Sequence, residues 1–399
     1  MKKHAPKKTV SDAEALRLVS QLMAIPGRSG DEGAVQEFII GHLRSAGLPA
    51  SALSWDNAHR HSPIGGKVGN MALKLPGTVR GPRRMLLAHS DTVPVCLGSQ
   101  PVRKANHFRS ANPDTGLGAD DRSGSAVLLS TGLSILRGKL PHPPLTFLWT
   151  VQEESGLSGV CHLKIGMLGR PRLAFNFDGG SATKLTVGAT GAYRLSIDIR
   201  GIASHAGGAP ADGVSAIAIA SLAIADLVKN GWHGQVTKGQ HSGTSNVGVI
   251  HGGEATNVVT NHVEIRAEAR SHDPKFRRQI VREIGQAFKR AVGTVANTAG
   301  RHGKVRIASK MDYESFHLSP KEPCVLAASE AVRAEGHEPE LALTNGGLDA
   351  NWITARGIPT VTLGCGQQNI HCVEEELDIT QFQLARRIAL RLATDAVSQ

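Results

Sequence analysis

Acidic and histidine side chains follow three apolar segments of the chain, at the points where the segments end. One segment ends at His89 and is followed by Asp91, the next by Glu153 and Glu154, and the third by Asp178. A nearly continuous apolar run is typical of a strand buried on both faces of a parallel sheet. Because ligands bind beside the carboxyl ends of the strands in open α/β sheets, we expect these side chains to lie close together.

A further acidic position lies in a glycine-rich turn between the first two segments. Asp120 and Asp121 follow Gly118 and precede a run with helical periodicity, Ser125 to Leu136. An aspartate just before a helix is most often an N-cap. Its carboxylate also has two oxygens, which can hold two metal ions at once. A histidine and several carboxylates together suit a borderline-hard divalent ion such as Zn²⁺, Mn²⁺ or Co²⁺.

The spacing of His89 and Asp91, and that of Glu153 and Glu154, suggests different tasks for the two members of each pair. Asp91, two residues after His89, can accept a hydrogen bond from the ring nitrogen that holds no metal, which fixes the tautomer and the orientation of the ring. Glu153 and Glu154 are adjacent, so on an extended backbone they cannot both point the same way. One of them could bind a metal while the other acts on a water molecule as a general base.

The elements that must position these groups alternate between strands and helices, which predicts an α/β domain with a mainly parallel sheet. The capping-box pattern Ser11–Glu14 begins a helix, and Gly47 ends a second one. The predicted strands of this part are 70–75, 85–89, 145–151 and 173–177.

The pattern changes near residue 185. Strands of period two are predicted at 193–200, 246–251, 258–269 and 304–309, with helices at 213–230 and 274–295. This order is a ferredoxin-like α+β unit. After about residue 310 the α/β pattern returns, with a helix at 323–335, a strand at 360–363 and a helix at 379–397. We therefore predict a catalytic domain in two parts, 1–184 and 310–399, with a smaller domain, 185–309, inserted between them.

The composition of the chain argues against nucleic-acid binding and against a membrane-spanning protein. The formal charge is +11, but four of the lysines lie in the first eight residues and aromatic residues make up only 4% of the chain. Nucleic-acid binding, which needs clustered cations and stacking aromatics, is therefore a minor hypothesis. No run approaches the roughly 18 apolar residues of a membrane span. The five scattered cysteines and the lack of an apolar signal segment predict a cytoplasmic protein.

The chain resembles the M20 family of two-metal peptidases and deacylases, and within it the peptidase T-like branch. The motifs that carry the resemblance occur in the family's order and are spread over most of the chain: Leu87–Pro94, Gly118–Gly124, Glu153–Gly156, Asn176–Gly179, Ser204–Gly207, Gly252–Val259, Gly346–Ala350 and Gly364–His371. The resemblance implies a catalytic domain of the zinc-peptidase type with an inserted domain that covers the site and forms a homodimer.

The resemblance also implies roles for single residues. Asp120 would bridge two metal ions, most simply Zn²⁺, with Co²⁺ or Mn²⁺ as alternatives. His89 and Asp178 would complete one metal site, and Glu154 and His371 the other. The remaining roles are those of a general base (Glu153), a residue that orients a ligand (Asp91), a residue that polarises the substrate carbonyl in the partner subunit (His205) and contacts with substrate (Asn257, Arg270 and Gly347).

These residues predict hydrolysis of amide bonds in small peptides, with release of N-terminal amino acids. A deacylase of N-acyl amino acids is the alternative on the same fold, because both reactions use the same metal core. A metal-free binding module is disfavoured because all five predicted ligands are present.

Overall fold

The computed structural model describes residues 9–394, so the lysine-rich start of the chain and the end of the predicted last helix lie outside the described residues. Contacts divide the chain into two compact units. The first extends from the N-terminal end to Gly188 and takes in His317–Thr344 and the chain from Leu348 onward; the second comprises Ala189–Phe316 and Asn345–Gly347. The inserted domain at 185–309 stays a prediction. The second unit begins four residues later and ends seven residues later than that domain, and it also includes Asn345–Gly347.

The helices within residues 9–394 are α1 (Asp12–Ala24), α2 (Gly33–Ser45), α3 (Ala119–Gly138), α4 (Ser158–Cys161), α5 (Ala216–Lys229), α6 (Pro274–Thr294), α7 (Pro323–Ala334), α8 (Asp349–Ala355) and α9 (Ile379–Thr394). None of them is long and apolar enough to cross a membrane.

The strands are β1 (Leu53–Trp55), β2 (Met71–Leu75), β3 (Arg84–His89), β4 (Pro101–Lys104), β5 (His107–Ser110), β6 (Leu145–Thr150), β7 (Leu173–Phe177), β8 (Lys184–Ala189), β9 (Gly191–Arg200), β10 (Gly234–Lys238), β11 (His241–Gly252), β12 (His262–Ser271), β13 (Lys304–Tyr313), β14 (Phe316–His317), β15 (Glu340–Thr344), β16 (Thr360–Leu363), β17 (Gln367–Gln368) and β18 (Glu376–Asp378).

The largest sheet has nine strands within the described residues, in the order β1-β2-β6-β3-β7-β16-β8-β14, and β15 also pairs with β8. Its four central strands, β6, β3, β7 and β16, are parallel, and the strands on either side of them are antiparallel. Every residue of these central strands is buried. Burial on both faces explains their nearly continuous apolar sequences. The predicted α/β class with a mainly parallel sheet is confirmed.

Helix α3 lies against the sheet and carries the glycine-rich turn at its start. It packs against β3, α1 and α9, and its residues are buried as far as Ile135. Gly118 has a φ of 78°, and Asp120 and Asp121 have non-helical dihedral angles, so the regular helix begins only after Asp121. The turn therefore presents two aspartates beside the end of β3 before the helix starts.

A second, antiparallel sheet of the first unit was not predicted. Its order is β17-β18-β5-β4. These strands have between two and four residues each, too few to show an alternating pattern. The pairing of β18 with β17 lies close to the chain segment that bears His371.

The second unit is one antiparallel sheet with two helices. The strand order is β10-β11-β12-β9-β13, and the core between sheet and helices includes Ile197, Ile265 and Phe288. Without β10, this is the strand order of the predicted ferredoxin-like unit; β10 is an added edge strand. Ser215 caps α5 by accepting a hydrogen bond from the Ala218 amide.

Candidate metal centre

The ends of three neighbouring parallel strands bring together the side chains that follow them in sequence. His89 is the last residue of β3, Glu153 and Glu154 follow β6, and Asp178 follows β7. The order β6-β3-β7 places these ends side by side at one edge of the sheet. The convergence expected from the apolar segments is therefore present.

The carboxylate of Asp120 lies between two histidines. Its Oδ1 is 3.1 Å from Nε2 of His89, and its Oδ2 is 3.2 Å from Nε2 of His371. The same nitrogen of His371 is 2.9 Å from Oε1 of Glu154. Each oxygen of one carboxylate thus faces a different potential metal ligand.

Two overlapping sets of ligand atoms are compact enough for a metal ion. The first set is His89, Asp120 and Glu154, and the second is His89, Asp121 and Asp178; within each set the ligand atoms lie within 4.8 Å of one another. Four of these residues were predicted as ligands. Asp121 was not.

The electrostatics of this cluster suit cations. Burial, and then the charge of Asp120, raise the pKa of Asp178 to about 7. Burial raises the pKa of Glu153 well above its ordinary value. Hydrogen bonds to Asp120 and Glu154 raise the pKa of His371 to about 10. The pKa of a buried carboxylate is raised when little positive charge lies nearby to stabilise the ionised form. Divalent cations would supply that charge, so this set of donors fits them.

Asp91 contacts both the histidine and the turn that follows β6. Its Oδ1 is 3.3 Å from Nδ1 of His89, the ring nitrogen that points away from Asp120. The same carboxylate accepts hydrogen bonds from the amides of Glu153 (3.0 Å) and Glu154 (3.2 Å) and from the Ser29 hydroxyl (2.6 Å). Nδ1 of His89 also lies 3.2 Å from the Asp91 carbonyl oxygen, and the role of Asp91 in orienting the ring stays a prediction.

The adjacent glutamates have different surroundings. Glu154 is hydrogen-bonded to His371. The carboxylate of Glu153 is buried beside the charges of His89 and Asp178. One of the two is therefore held beside a predicted metal ligand, and the other lies buried next to the same cluster of charges.

Three buried acidic residues beside this cluster were missed by sequence reasoning. Asp121 accepts hydrogen bonds from the His89 amide (3.1 Å) and the Gln367 side chain (2.8 Å). Glu375 accepts hydrogen bonds from the amides of Gly118 (2.7 Å) and Asp120 (3.0 Å).

The third missed residue is Asp349, whose carboxylate accepts a hydrogen bond from Thr150. The sequence signals for all three were weak. Asp121 is adjacent to Asp120, and Glu375 lies four residues after His371. Asp349 lies in the motif Gly346–Ala350, in which only Gly347 was predicted to contact the substrate.

The other predicted site residues, His205, Asn257, Arg270 and Gly347, belong to the second unit. Nδ1 of His205 accepts hydrogen bonds from the amides of Gly207 (3.1 Å) and Gly208 (2.9 Å). A neutral imidazole that accepts at Nδ1 carries its proton on Nε2 and can donate it to a ligand. The amide of Ala206, the residue after His205, donates a hydrogen bond of 2.9 Å to the backbone carbonyl oxygen of Asn257.

Arg270 and Gly347 are constrained by neighbours within the same unit. The guanidinium of Arg270 donates two hydrogen bonds to Glu268 (3.0 and 3.1 Å) and one to the Asn345 carbonyl (3.4 Å). A Cβ atom at Gly347 would lie 2.5 Å from the Tyr313 ring. Only glycine fits at position 347 without moving that ring.

Comparisons with known proteins show the family of this chain. The family model for peptidase family M20/M25/M40 matches residues 85–395. The uncharacterized protein YqjE of Bacillus subtilis is 30% identical over 329 residues, 82% of this chain and 85% of that protein. Proteins called peptidase T from Escherichia, Serratia, Vibrio and Edwardsiella are 25–27% identical, and the match spans only 64–65% of their length.

Two solved structures are similar over nearly the whole chain. A tripeptidase of Staphylococcus aureus has a TM-score of 0.86 and 30% identity, and the match covers 97% of this chain and 98% of that one. The aminopeptidase PepT of Bacillus cereus has a TM-score of 0.83 and 27% identity, with 96% and 98% covered. The chain belongs to peptidase family M20/M25/M40.

Proposed function

We propose that this protein is a metal-dependent aminopeptidase that removes N-terminal amino acids from small peptides. The observation that carries the proposal is the carboxylate of Asp120, which faces His89 with one oxygen and His371 with the other. The similarity to a tripeptidase and to an aminopeptidase supports the substrate class.

The proposed centre would hold two divalent ions. Asp120 would be the shared ligand, and His89 and Asp178 would hold one ion while Glu154 and His371 would hold the other. Imidazole and carboxylate donors favour Zn²⁺, with Co²⁺ or Mn²⁺ as alternatives. When bound, such ions polarise the peptide carbonyl and lower the pKa of a water molecule held at the site.

Glu153 is the proposed general base. Its carboxylate is buried, and this burial raises its pKa well above the ordinary value. A carboxylate of raised pKa is a stronger base than an exposed one. In the proposed reaction it takes a proton from the attacking water and passes that proton to the nitrogen of the leaving amine.

His205 is the proposed donor to the substrate carbonyl. Its Nδ1 accepts two backbone hydrogen bonds, which leaves the Nε2 proton for the oxygen on which negative charge develops. The resemblance to M20 enzymes assigns this contact to the active site of the partner subunit in a homodimer.

Arg270, Asn257 and the chain at Gly347 are the proposed contacts for the rest of the peptide. The Arg270 guanidinium donates hydrogen bonds to Glu268 and Asn345. A substrate carboxylate bound there would compete with Glu268 for the same N–H groups.

A homodimer is proposed through the second unit. Helix α5 is almost wholly apolar, and Ile217, Leu222 and Val228 on it are 43%, 48% and 58% exposed. Burying such side chains against a second copy would stabilise the pair by the hydrophobic effect. The cytoplasm is proposed as the location, because all five cysteines are free thiols.

The test of this function is a substrate panel on protein reconstituted with Zn²⁺ or Co²⁺. The panel contains a tripeptide, the same tripeptide acetylated at its N-terminus, a dipeptide and an N-acetyl amino acid. We expect cleavage of the tripeptide with a free amino group. Preference for the acylated compounds would instead establish the deacylase alternative, and no hydrolysis with metal bound would refute both.

A further inference from the structure

Three consecutive backbone amides in the turn after β6 each donate a hydrogen bond to a buried carboxylate. The Glu153 and Glu154 amides donate to Asp91, as described above. The amide before them, that of Gln152, lies 3.1 Å from Oε1 of Glu32. Glu32 is therefore part of the structure that holds this turn, although it is none of the predicted ligands.

The turn needs such support because of its backbone conformation. Gln152 has a φ of 56°, in the left-handed region that residues other than glycine rarely adopt. Successive N–H groups in a turn of this kind form an anion-binding concavity. Here the carboxylates of Glu32 and Asp91 accept the hydrogen bonds of these N–H groups.

Glu32 is poorly explained by stability alone. It is fully buried, its Oε1 accepts hydrogen bonds from the amides of Gly30 (2.8 Å) and Gln152, and its Oε2 has no partner among the residues described. A buried carboxylate with an unpaired oxygen costs folding free energy. The other oxygen, Oε1, is placed to accept the Gln152 amide.

The loop before α2, residues 25–32, carries Glu32 and is hydrogen-bonded to two parts of the candidate centre. The buried guanidinium of Arg122, two residues after Asp120, donates to the Gly27 carbonyl at 3.0 Å. The Ser29 hydroxyl donates to Asp91 at 2.6 Å. The loop therefore connects the Asp120 turn to the turn that bears Glu153.

We propose that Glu32 is a positioning residue for Glu153. By accepting the Gln152 amide it fixes the turn and hence the direction of the Glu153 carboxylate, without contact with substrate or metal. This inference rests on the proposed role of Glu153 as the general base.

The test compares three substitutions that separate hydrogen-bond geometry from charge. Glu32→Gln keeps an acceptor oxygen in place but removes the charge. Glu32→Asp keeps the charge but draws the oxygen back by one methylene. We expect Glu32→Asp and Glu32→Ala to lower kcat by about 10- to 100-fold, as changes beside a metal centre do, while Glu32→Gln keeps most of the rate. The opposite order of Gln and Asp would show a charge effect and overturn the proposal.

Two readouts besides activity accompany the rates. Metal content should stay unchanged in all three variants, and hydrogen exchange of the Gln152 amide should become faster in Glu32→Asp and Glu32→Ala. Glu335→Ala is the matched control, because it removes a mostly buried carboxylate that pairs with Arg387 and Arg391 instead. It should leave both kcat and the exchange of the Gln152 amide unchanged.

A double-mutant cycle decides whether Glu32 acts through Glu153. Residues that act as a unit are not additive, so Glu32→Asp should cause no further loss of rate in a Glu153→Ala background. An equal loss in both backgrounds would contradict the inference. If Glu153→Ala itself retained the full rate, the proposed function of Glu153 would fail, and this outcome is distinct from a failure at Glu32.

Discussion

Nε2 of His371 lies 3.2 Å from Oδ2 of Asp120, and the opposite oxygen of that carboxylate faces His89. The two histidines come from a strand end and from a loop near the C-terminus. A carboxylate flanked in this way can share two cations between its oxygens, which is the basis of the function proposed above.

Replacing Glu153 by Gln should separate metal binding from turnover. The change removes the proton acceptor but leaves Asp120, Glu154 and the histidines in place. We expect unchanged metal content and a loss in kcat of about 10²- to 10⁴-fold, the usual contribution of general acid–base catalysis. Metal analysis and steady-state kinetics measure the two effects. A normal rate at normal metal content would refute the assignment of the base.

Replacing His205 by Ala should slow turnover by about 10²- to 10³-fold, the cost of one lost donor to a developing oxyanion. Metal content should not change, because His205 belongs to the second unit. His251→Ala, a change of an exposed histidine in the same unit, is the matched control and should have no effect. Kinetics of His205→Ala equal to those of the control would contradict the proposed role.

Replacing Arg270 by Ala should weaken binding of peptides that have a free C-terminal carboxylate. Hydrogen bonds to charged groups contribute about 1.5–3 kcal/mol, so KM should rise roughly 10- to 100-fold. The corresponding peptide amides serve as the control, since they lack the carboxylate and should show little change. Equal effects on acids and amides would indicate that Arg270 acts on the fold of the second unit instead.

Metal binding should release more protons at pH 6 than at pH 8. Metal ligands must be deprotonated to bind. In the metal-free protein, hydrogen bonds raise the pKa of His371 from 6.5 to about 10, so this residue carries a proton at both pH values. Burial and the charge of Asp120 raise the pKa of Asp178 from 3.8 to about 7, so Asp178 carries a proton at pH 6 but little at pH 8.

The affinity for Zn²⁺ should therefore rise with pH, more steeply below pH 7 than above it. Titration calorimetry in buffers of different ionisation enthalpy counts the released protons. In Asp178→Asn the difference between pH 6 and pH 8 should become smaller. Equal proton release at the two pH values in the unaltered protein would show that Asp178 does not titrate as described.

The fold could be predicted where local sequence carries the signal. The strand ending at His89 is apolar throughout because it is buried on both faces, and its end marks the candidate site. The two-residue strand β17 and the edge strand β10 were missed, because short or exposed strands have no distinctive pattern. The contacts of Glu32 and Glu375 with turns far away in sequence have no local signal either, since the tertiary fold alone creates them.

The most direct test of the central claim is a crystal structure of the protein grown with Zn²⁺, with anomalous diffraction measured at the zinc edge. The proposal predicts two peaks roughly 3.5–4 Å apart, as in two-metal hydrolases, one beside each oxygen of Asp120. Protein with Asp120→Asn should show weaker peaks or none. A single zinc ion in the unaltered protein, or two ions that do not share Asp120, would contradict the account.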